Sequence, residues 1–254
     1  MQVVALDFDG VLFDSIREVL AVATQTYLRL EPDATLVREL AQRGEDDPHF
    51  LAFRSLVPFG NRAEDFGVAL SALQRRLILD DQESYDHFYE SFDASWLDRY
   101  HRIFYRCRRE LRNASPQRWL GLHRPYSSFI DVLDRHQRHC HFAIVTAKDR
   151  ESVRKLLSHF KLQSMFPAEL ILDKEVGVHK TAHLRALAAQ LGLPIRGMRF
   201  VDDKLNHLER AATLGVRPVL AAWGYNSSRE HRLARDRGFA VATLANAEEI
   251  LFPT

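Results

Sequence analysis

A run near the N-terminus, QVVALDF from Gln2 to Phe8, is apolar and β-branched and stops at the pair Asp9-Gly10, which favours a turn. The pattern predicts a buried strand that ends in acid. From Ser15 to about Leu122 apolar residues recur at helical spacing, in IREVLAVATQTYL, FGVALSALQRRLIL and FYESFDASWLDRYHRIFYRCRREL, and no strand is expected there. After Pro125 helical and strand-like segments alternate: SSFIDVLDRH, HFAIVTA, ESVRKLLSHF, ELIL, TAHLRALAAQLG, MRFVDD, LNHLERAATLG, VRPVLAA and a helical tail. Five strands separated by helices predict an α/β fold with a doubly wound parallel sheet, interrupted after its first strand by an all-helical insertion.

The chain has 254 residues, enough for one large domain or for a core with a smaller companion. Its 35 basic and 34 acidic side chains nearly cancel, so no whole-protein field points to nucleic acid or to an anionic membrane. Neither is expected as a partner. Cys107 and Cys140 stand far apart and form no close-spaced metal or redox pair. The N-terminus lacks the basic start and long apolar stretch of a signal peptide, and no apolar run approaches the roughly 20 residues needed to span a bilayer. A cytoplasmic setting is therefore expected. The sequence assigns no oligomeric state.

In a doubly wound sheet, ligands bind outside the carboxyl ends of the strands. Three strand ends are polar here: Asp7 and Asp9 after the first strand, Thr146 after the second, and Asp202 with Asp203 after the fourth. Asp7 and Asp9, two apart, would share one face of a continuing strand. Carboxylates that close repel unless a cation or a shared proton relieves them, so metal binding or acid–base pairing is their natural use. A hard, oxygen-seeking ion such as Mg2+ suits them. The alternative uses are local: an Asp-Gly pair can simply begin a turn, Asp203 can cap a helix, Thr146 can be an ordinary strand residue, and Lys180 can be a solvated helix start.

Taken together, LDFDGVLFDS (Leu6 to Ser15), IVTA (Ile144 to Ala147), Lys180 and FVDDKLNHLERAATLGV (Phe200 to Val216) resemble the four ordered motifs of haloacid dehalogenase-like hydrolases. The branch resembled is that of helical-capped phosphatases similar to phosphoglycolate phosphatase. The resemblance implies a catalytic core over residues 1–15 and 123–254 and a helical cap over residues 16–122 that selects the substrate. It also implies roles. Asp7 would be the nucleophile that forms an aspartyl-phosphate, and Asp9 the acid that protonates the leaving oxygen and later activates water. Thr146, Ala147 and Lys180 would bind the phosphoryl group, with Lys180 also neutralising charge on Asp7. Asp7, the backbone carbonyl of Asp9, and Asp203 would ligate Mg2+, with Asp202 behind them orienting a bound water.

Two positions depart from the family pattern. Thr181, where a proline is common, can cap a helix that begins at Ala182. His207 stands where relatives carry Asp or Asn, and imidazole is a poor magnesium ligand, so this residue is not expected on the ion. Asp9 favours phosphoryl chemistry over dehalogenation, because an alkoxide leaving group needs an acid and a halide does not. The implied substrate is a small phosphorylated metabolite. A phosphomutase of the β-phosphoglucomutase type would use the same carboxylates, and a non-catalytic binding protein with a basic cap is the alternative from another class.

Arg99, Arg102, Arg106, Arg108, Arg109, Arg112 and Arg118 form a basic stretch with aromatic residues interleaved. Arg99, Arg102, Arg106 and Arg109 recur at helical spacing, which predicts a solvated face; an anionic substrate group or nucleic acid are the other uses considered. His136, His139 and His141 fall at a helix end and strand start, with no Cys or carboxylate partner evident in sequence for a metal.

Overall fold

The computed structural model describes residues 2–60, 62–173, 176–177 and 179–253. It divides into two compact units, residues 1–14 with 124–254, and residues 15–123.

The first unit is built on strands β1 (Gln2–Leu6), β2 (Phe13–Asp14), β3 (Arg124–Pro125), β4 (Cys140–Val145), β5 (Ile171–Leu172), β6 (Arg199–Asp202), β7 (Arg217–Ala221) and β8 (Ala240–Ala242). Six of them form a parallel sheet in the order β5-β4-β1-β6-β7-β8, so β1 lies at its centre with β4 and β6 on either side. Both faces of that strand are covered, and Val3, Val4, Ala5 and Leu6 are all buried. That is why it reads as an unbroken apolar run rather than an alternating one. β8 is a sixth strand where the sequence suggested only a helical tail. Its three residues, Ala-Val-Ala, are too few to show a period and gain their order by pairing with β7.

The helices of the second unit are α1 (Ile16–Leu30), α2 (Thr35–Arg43), α3 (Phe50–Leu56), α4 (Ala63–Gln74), α5 (Gln82–Glu90), α6 (Ala94–Ala114) and α7 (Pro116–Gly121). Those of the sheet unit are α8 (Ser127–His136), α9 (Arg150–His159), α10 (Lys180–Leu191), α11 (Leu205–Ala212), α12 (Ser228–Asp236) and α13 (Ala247–Leu251). Leu184 and Leu187 of α10 and Leu208 and Ala211 of α11 pack with Val3, Ala5, Val145 and Phe200 into one apolar layer. α10 stops at Gly192, whose φ of 62° is the left-handed conformation that a helix end adopts at lowest cost with glycine.

Within the helical unit, Tyr100 of α6 ties three helices together. Its hydroxyl donates to the Ala23 carbonyl of α1 at 2.9 Å, and its ring lies so close to Gly67 of α4 that a Cβ there would meet it at 2.6 Å. Glu18 of α1, fully buried, receives a two-pronged bond from Arg108 of α6, at 2.6 Å from Nε and 2.7 Å from Nη2. The basic stretch is thus divided by helical geometry. Arg99, Arg102, Arg106 and Arg109 are exposed, whereas Arg108 is half-buried and Arg112 buried. Among the described residues, no helix is long and apolar enough to cross a membrane.

Candidate active site

The site lies at the carboxyl ends of β1, β4 and β6. Their register sets it: Leu6 pairs with Ile144 on one side and Val201 on the other, so the residues that follow emerge side by side. The Asp7 amide donates to the Val201 carbonyl at 2.9 Å, which holds β1 to β6 one residue beyond the ladder. Past this point the chain turns sharply. Leu12 and Phe13 amides both donate to the Phe8 carbonyl, the Gly10 amide donates to the Phe13 carbonyl, and the Phe8 and Phe13 rings stack at 4.7 Å.

Asp7 is buried, and its Oδ1 accepts from the Phe8 amide at 2.7 Å and lies 2.6 Å from Lys180 Nζ. Burial pushes its pKa up, opposed by the Lys180 charge, while the nearby Asp202 pushes the same way as burial. Lys180 is itself buried at the first residue of α10 and donates to the Val145 carbonyl at 2.6 Å, with Asp202 Oδ2 at 3.4 Å. Burial works against its charge, but Asp7 and Asp202 outweigh that and hold its pKa above the usual value. The helix therefore begins at Lys180, not at Ala182, and Thr181 lies inside its first turn rather than capping it. The ammonium's three partners at the carboxyl ends of β1, β4 and β6 explain why Lys180 is drawn in at the helix start.

Asp202 is fully buried between Lys180 and His207. His207 Nδ1 lies 3.1 Å from both of its oxygens, and since a carboxylate only accepts, that nitrogen carries the proton. Burial alone would raise the Asp202 pKa, but His207 and Lys180 hold it down to about 2. Asp202 also accepts from the Lys204 amide at 2.9 Å, closing the turn that leads into α11.

Asp203, the first residue past β6, faces different partners. Its Oδ2 accepts from the Tyr225 amide at 2.8 Å, and it is wedged between two glycines: a Cβ on Gly10 would lie 2.5 Å from that oxygen, and one on Gly224 2.3 Å from Asp203 Cβ. Burial raises its pKa to about 7, against the attraction of Lys204 and with the repulsion of Asp202 and Asp7. The helix-capping use of Asp203 is not the one realised.

Thr146 is buried at the end of β4 and Ala147 beside it is exposed. The Thr146 hydroxyl accepts from the Lys148 amide at 3.1 Å, so its single proton points elsewhere. Asp9 leans towards β4 rather than towards Asp203: both of its oxygens are bonded by Lys148 Nζ, at 2.9 and 3.3 Å. Lys148 was not singled out in the sequence. It follows Thr146 by two residues in a polar turn, AKDR, where a lysine looks like any solvated charge.

Among the described residues, Asp7, Asp202 and His207 form a group whose ligand atoms all lie within 4.8 Å of one another. Asp203 falls outside that group, although its raised pKa reports the charge of the other two carboxylates. Three buried carboxylates within mutual electrostatic reach, facing Lys180, Lys204 and His207, form a set of hard oxygen donors, and the raised pKa of Asp203 reflects in part the repulsion among them. That chemistry fits Mg2+. His207 adds no softer donor through Nδ1, since that nitrogen is spent on Asp202.

A family model described as haloacid dehalogenase-like hydrolase matches residues 1–215. The chain belongs to that family. Solved structures share the fold over nearly the whole length. A hydrolase of the haloacid dehalogenase-like family from Streptococcus pneumoniae is 14% identical, with a TM-score of 0.66 over 97% of this chain and 96% of that one. A protein described as a predicted phosphoglycolate phosphatase from Haemophilus somnus is 19% identical, with a TM-score of 0.62 over 98% and 97%. A predicted phosphatase from Clostridium acetobutylicum is 15% identical, with a TM-score of 0.62 over 100% and 99%. No curated protein matches the sequence.

Proposed function

We propose that this hydrolase cleaves a small phosphomonoester with Mg2+ as cofactor, through an aspartyl-phosphate on Asp7. The observation that carries this reading is the Asp7–Lys180 pair at 2.6 Å, set at the ends of parallel strands with Thr146 and Asp9 on the adjoining turns. The Phe8 amide and Lys180 both engage Oδ1 of Asp7, which leaves Oδ2 to attack phosphorus. Lys180 keeps the buried carboxylate ionised and meets the charge of the phosphoryl oxygens. Thr146 donates its hydroxyl proton to one of those oxygens, and the Ala147 amide serves a second. Asp9 gives a proton to the departing alkoxide and takes one from water in the second half-reaction.

Asp7, Asp203 and the Asp9 carbonyl would hold the metal, with Asp202 bracing the site from behind through His207 and Lys180. When bound, Mg2+ supplies positive charge to the transferring phosphoryl group. The relatives described as phosphatases agree with this reading. The absence of a side chain at Gly10 and Gly224 is also in keeping with it, because both keep the space around Asp203 tight and defined.

Phosphate release from a panel of phosphorylated metabolites and a chromogenic ester, with and without Mg2+, tests the proposal against Asp7→Asn. Metal-dependent release that vanishes in the variant is expected. Full turnover by Asp7→Asn would overturn the assignment of the nucleophile.

A further inference from the structure

Lysines on turns ordinarily send their ammonium into water, because burying a charge is costly unless it is paired. Lys148 does the opposite: its side chain is only 1% exposed, whereas that of its partner Asp9 is 31% exposed. The ammonium passes 5.9 Å from the centre of the Phe8 ring and ends against both Asp9 oxygens. At the other end of the residue, the Lys148 amide is bonded to the Thr146 hydroxyl at 3.1 Å. A single residue therefore links the phosphate-binding turn to the carboxylate two residues after the nucleophile.

We propose that Lys148 is a positioning residue for Asp9, fixing the orientation of its carboxylate relative to Thr146; this rests on the phosphoryl-transfer reading above. In the first half-reaction a bond forms between Asp7 and phosphorus as the bond from phosphorus to the leaving oxygen breaks. The proton on Asp9 passes to that oxygen, which departs as an alcohol. Asp9 is left as a carboxylate, and Lys148 donates to it. In the second half-reaction water oxygen bonds to phosphorus, the bond from phosphorus to Asp7 breaks, and a water proton goes to Asp9. Lys148 keeps its own protons throughout. Its contribution is to hold the acid where it serves the leaving group and to stabilise the carboxylate that the acid becomes.

The need for Asp9 depends on the leaving group, and this separates positioning from a general structural effect. An alkyl alcohol departs only with a proton, whereas p-nitrophenolate departs without one. The full-length protein, Lys148→Met, Lys148→Gln and Asp9→Asn are compared on an alkyl phosphate and on p-nitrophenyl phosphate with Mg2+, alongside thermal melts. Lys148→Met is expected to lose about 10²-fold in kcat on the alkyl ester, and at least about tenfold less than that on the aryl ester, in the same direction as Asp9→Asn. Lys148→Gln, which keeps a donor, is expected to fall between. Equal losses on the two esters, or no loss on either, would overturn the proposal. If Lys148→Met melts below the assay temperature, the alkyl-to-aryl ratio of Lys148→Gln decides in its place. A parent protein that turns over neither ester overturns the hydrolase reading and the Lys148 assignment with it; a parent with turnover and variants with an unchanged ratio overturns Lys148 alone.

Discussion

Lys180 Nζ stands 2.6 Å from Asp7 Oδ1, which brings the first residue of one helix against the first residue beyond the central strand. Both side chains are buried, so neither charge has water to fall back on. Lys180→Met should lower kcat by at least about 10²-fold, in the range seen when a preorganised electrostatic contact to a reacting group is removed. Steady-state kinetics on any accepted ester checks this, with circular dichroism to confirm that the variant is folded.

Asp203 makes the metal-free protein sensitive to pH in a defined direction. Its pKa is raised to about 7 in the folded protein, against an ordinary value of 3.8. The folded state thus binds more protons than the unfolded state between these values, and stability falls as pH rises through that window. In EDTA, Tm should drop between about pH 4 and pH 7, and Asp203→Asn should flatten the slope. The difference between the two proteins removes the opposing contribution of His183 and His231, whose pKa values are lowered by burial. Asp202, held to about 2, loses its contribution only in stronger acid, as pH falls below about 4. A thermal melt series in buffers across the window would contradict the assignment if Tm rose or if the variant kept the same slope.

Gly10 combines a φ of +84° with a Cβ position only 2.5 Å from Asp203 Oδ2. Gly10→Ala should destabilise the protein by at least about 1 kcal/mol from backbone strain alone, and the displaced carboxylate adds to that. Tm would fall by about 2–4 °C or more for each such increment. Gly44→Ala, with a φ of +60° but nothing within 4 Å of the added carbon, isolates the strain from the collision. The difference between the two melts measures what the crowding at Asp203 contributes.

In the helical unit, Arg108→Ala would strip the buried Glu18 carboxylate of its two-pronged guanidinium partner, at a cost of about 3–5 kcal/mol. Pairing it with Glu18→Gln should recover part of the loss, because a neutral amide is far less costly to bury. Arg102→Ala, by contrast, removes an exposed partner of Asp98 and should change stability by under about 1 kcal/mol. Chemical denaturation of the three variants tests the contrast.

How much could be read from the chain alone depended on whether the signal was local. Asp7, Asp9 and Gly10 announce themselves because a strand, two acids and a turn lie within a few consecutive residues. The family resemblance gave Asp202 and Asp203 different roles, but their different partners, Lys180 for one and the Tyr225 amide for the other, come only with the fold. Lys148 was missed because nothing in AKDR distinguishes a buried ammonium from a solvated one, and its partner Asp9 is 139 residues away. Arg108 and Arg99 looked alike within one basic helix, and only the presence of Glu18 on α1 separates them. His136 looked partnerless for the same reason. It bonds Glu248 at 2.9 Å and stacks on Phe252, both of which lie far along the chain.

The short ribbon of β2 and β3 places the last residue before the helical insertion, Asp14, directly opposite the first residue after it, Arg124. An excursion that starts and finishes at one paired position imposes no span on the sheet that hosts it. Its length enters the closure entropy only logarithmically, so doubling it would cost about 0.6 kcal/mol. The ribbon is in effect a socket: the helical segment can be exchanged, shortened or enlarged through it while the neighbouring register of β1 with β4 and β6, and the chemistry held there, stays where it is.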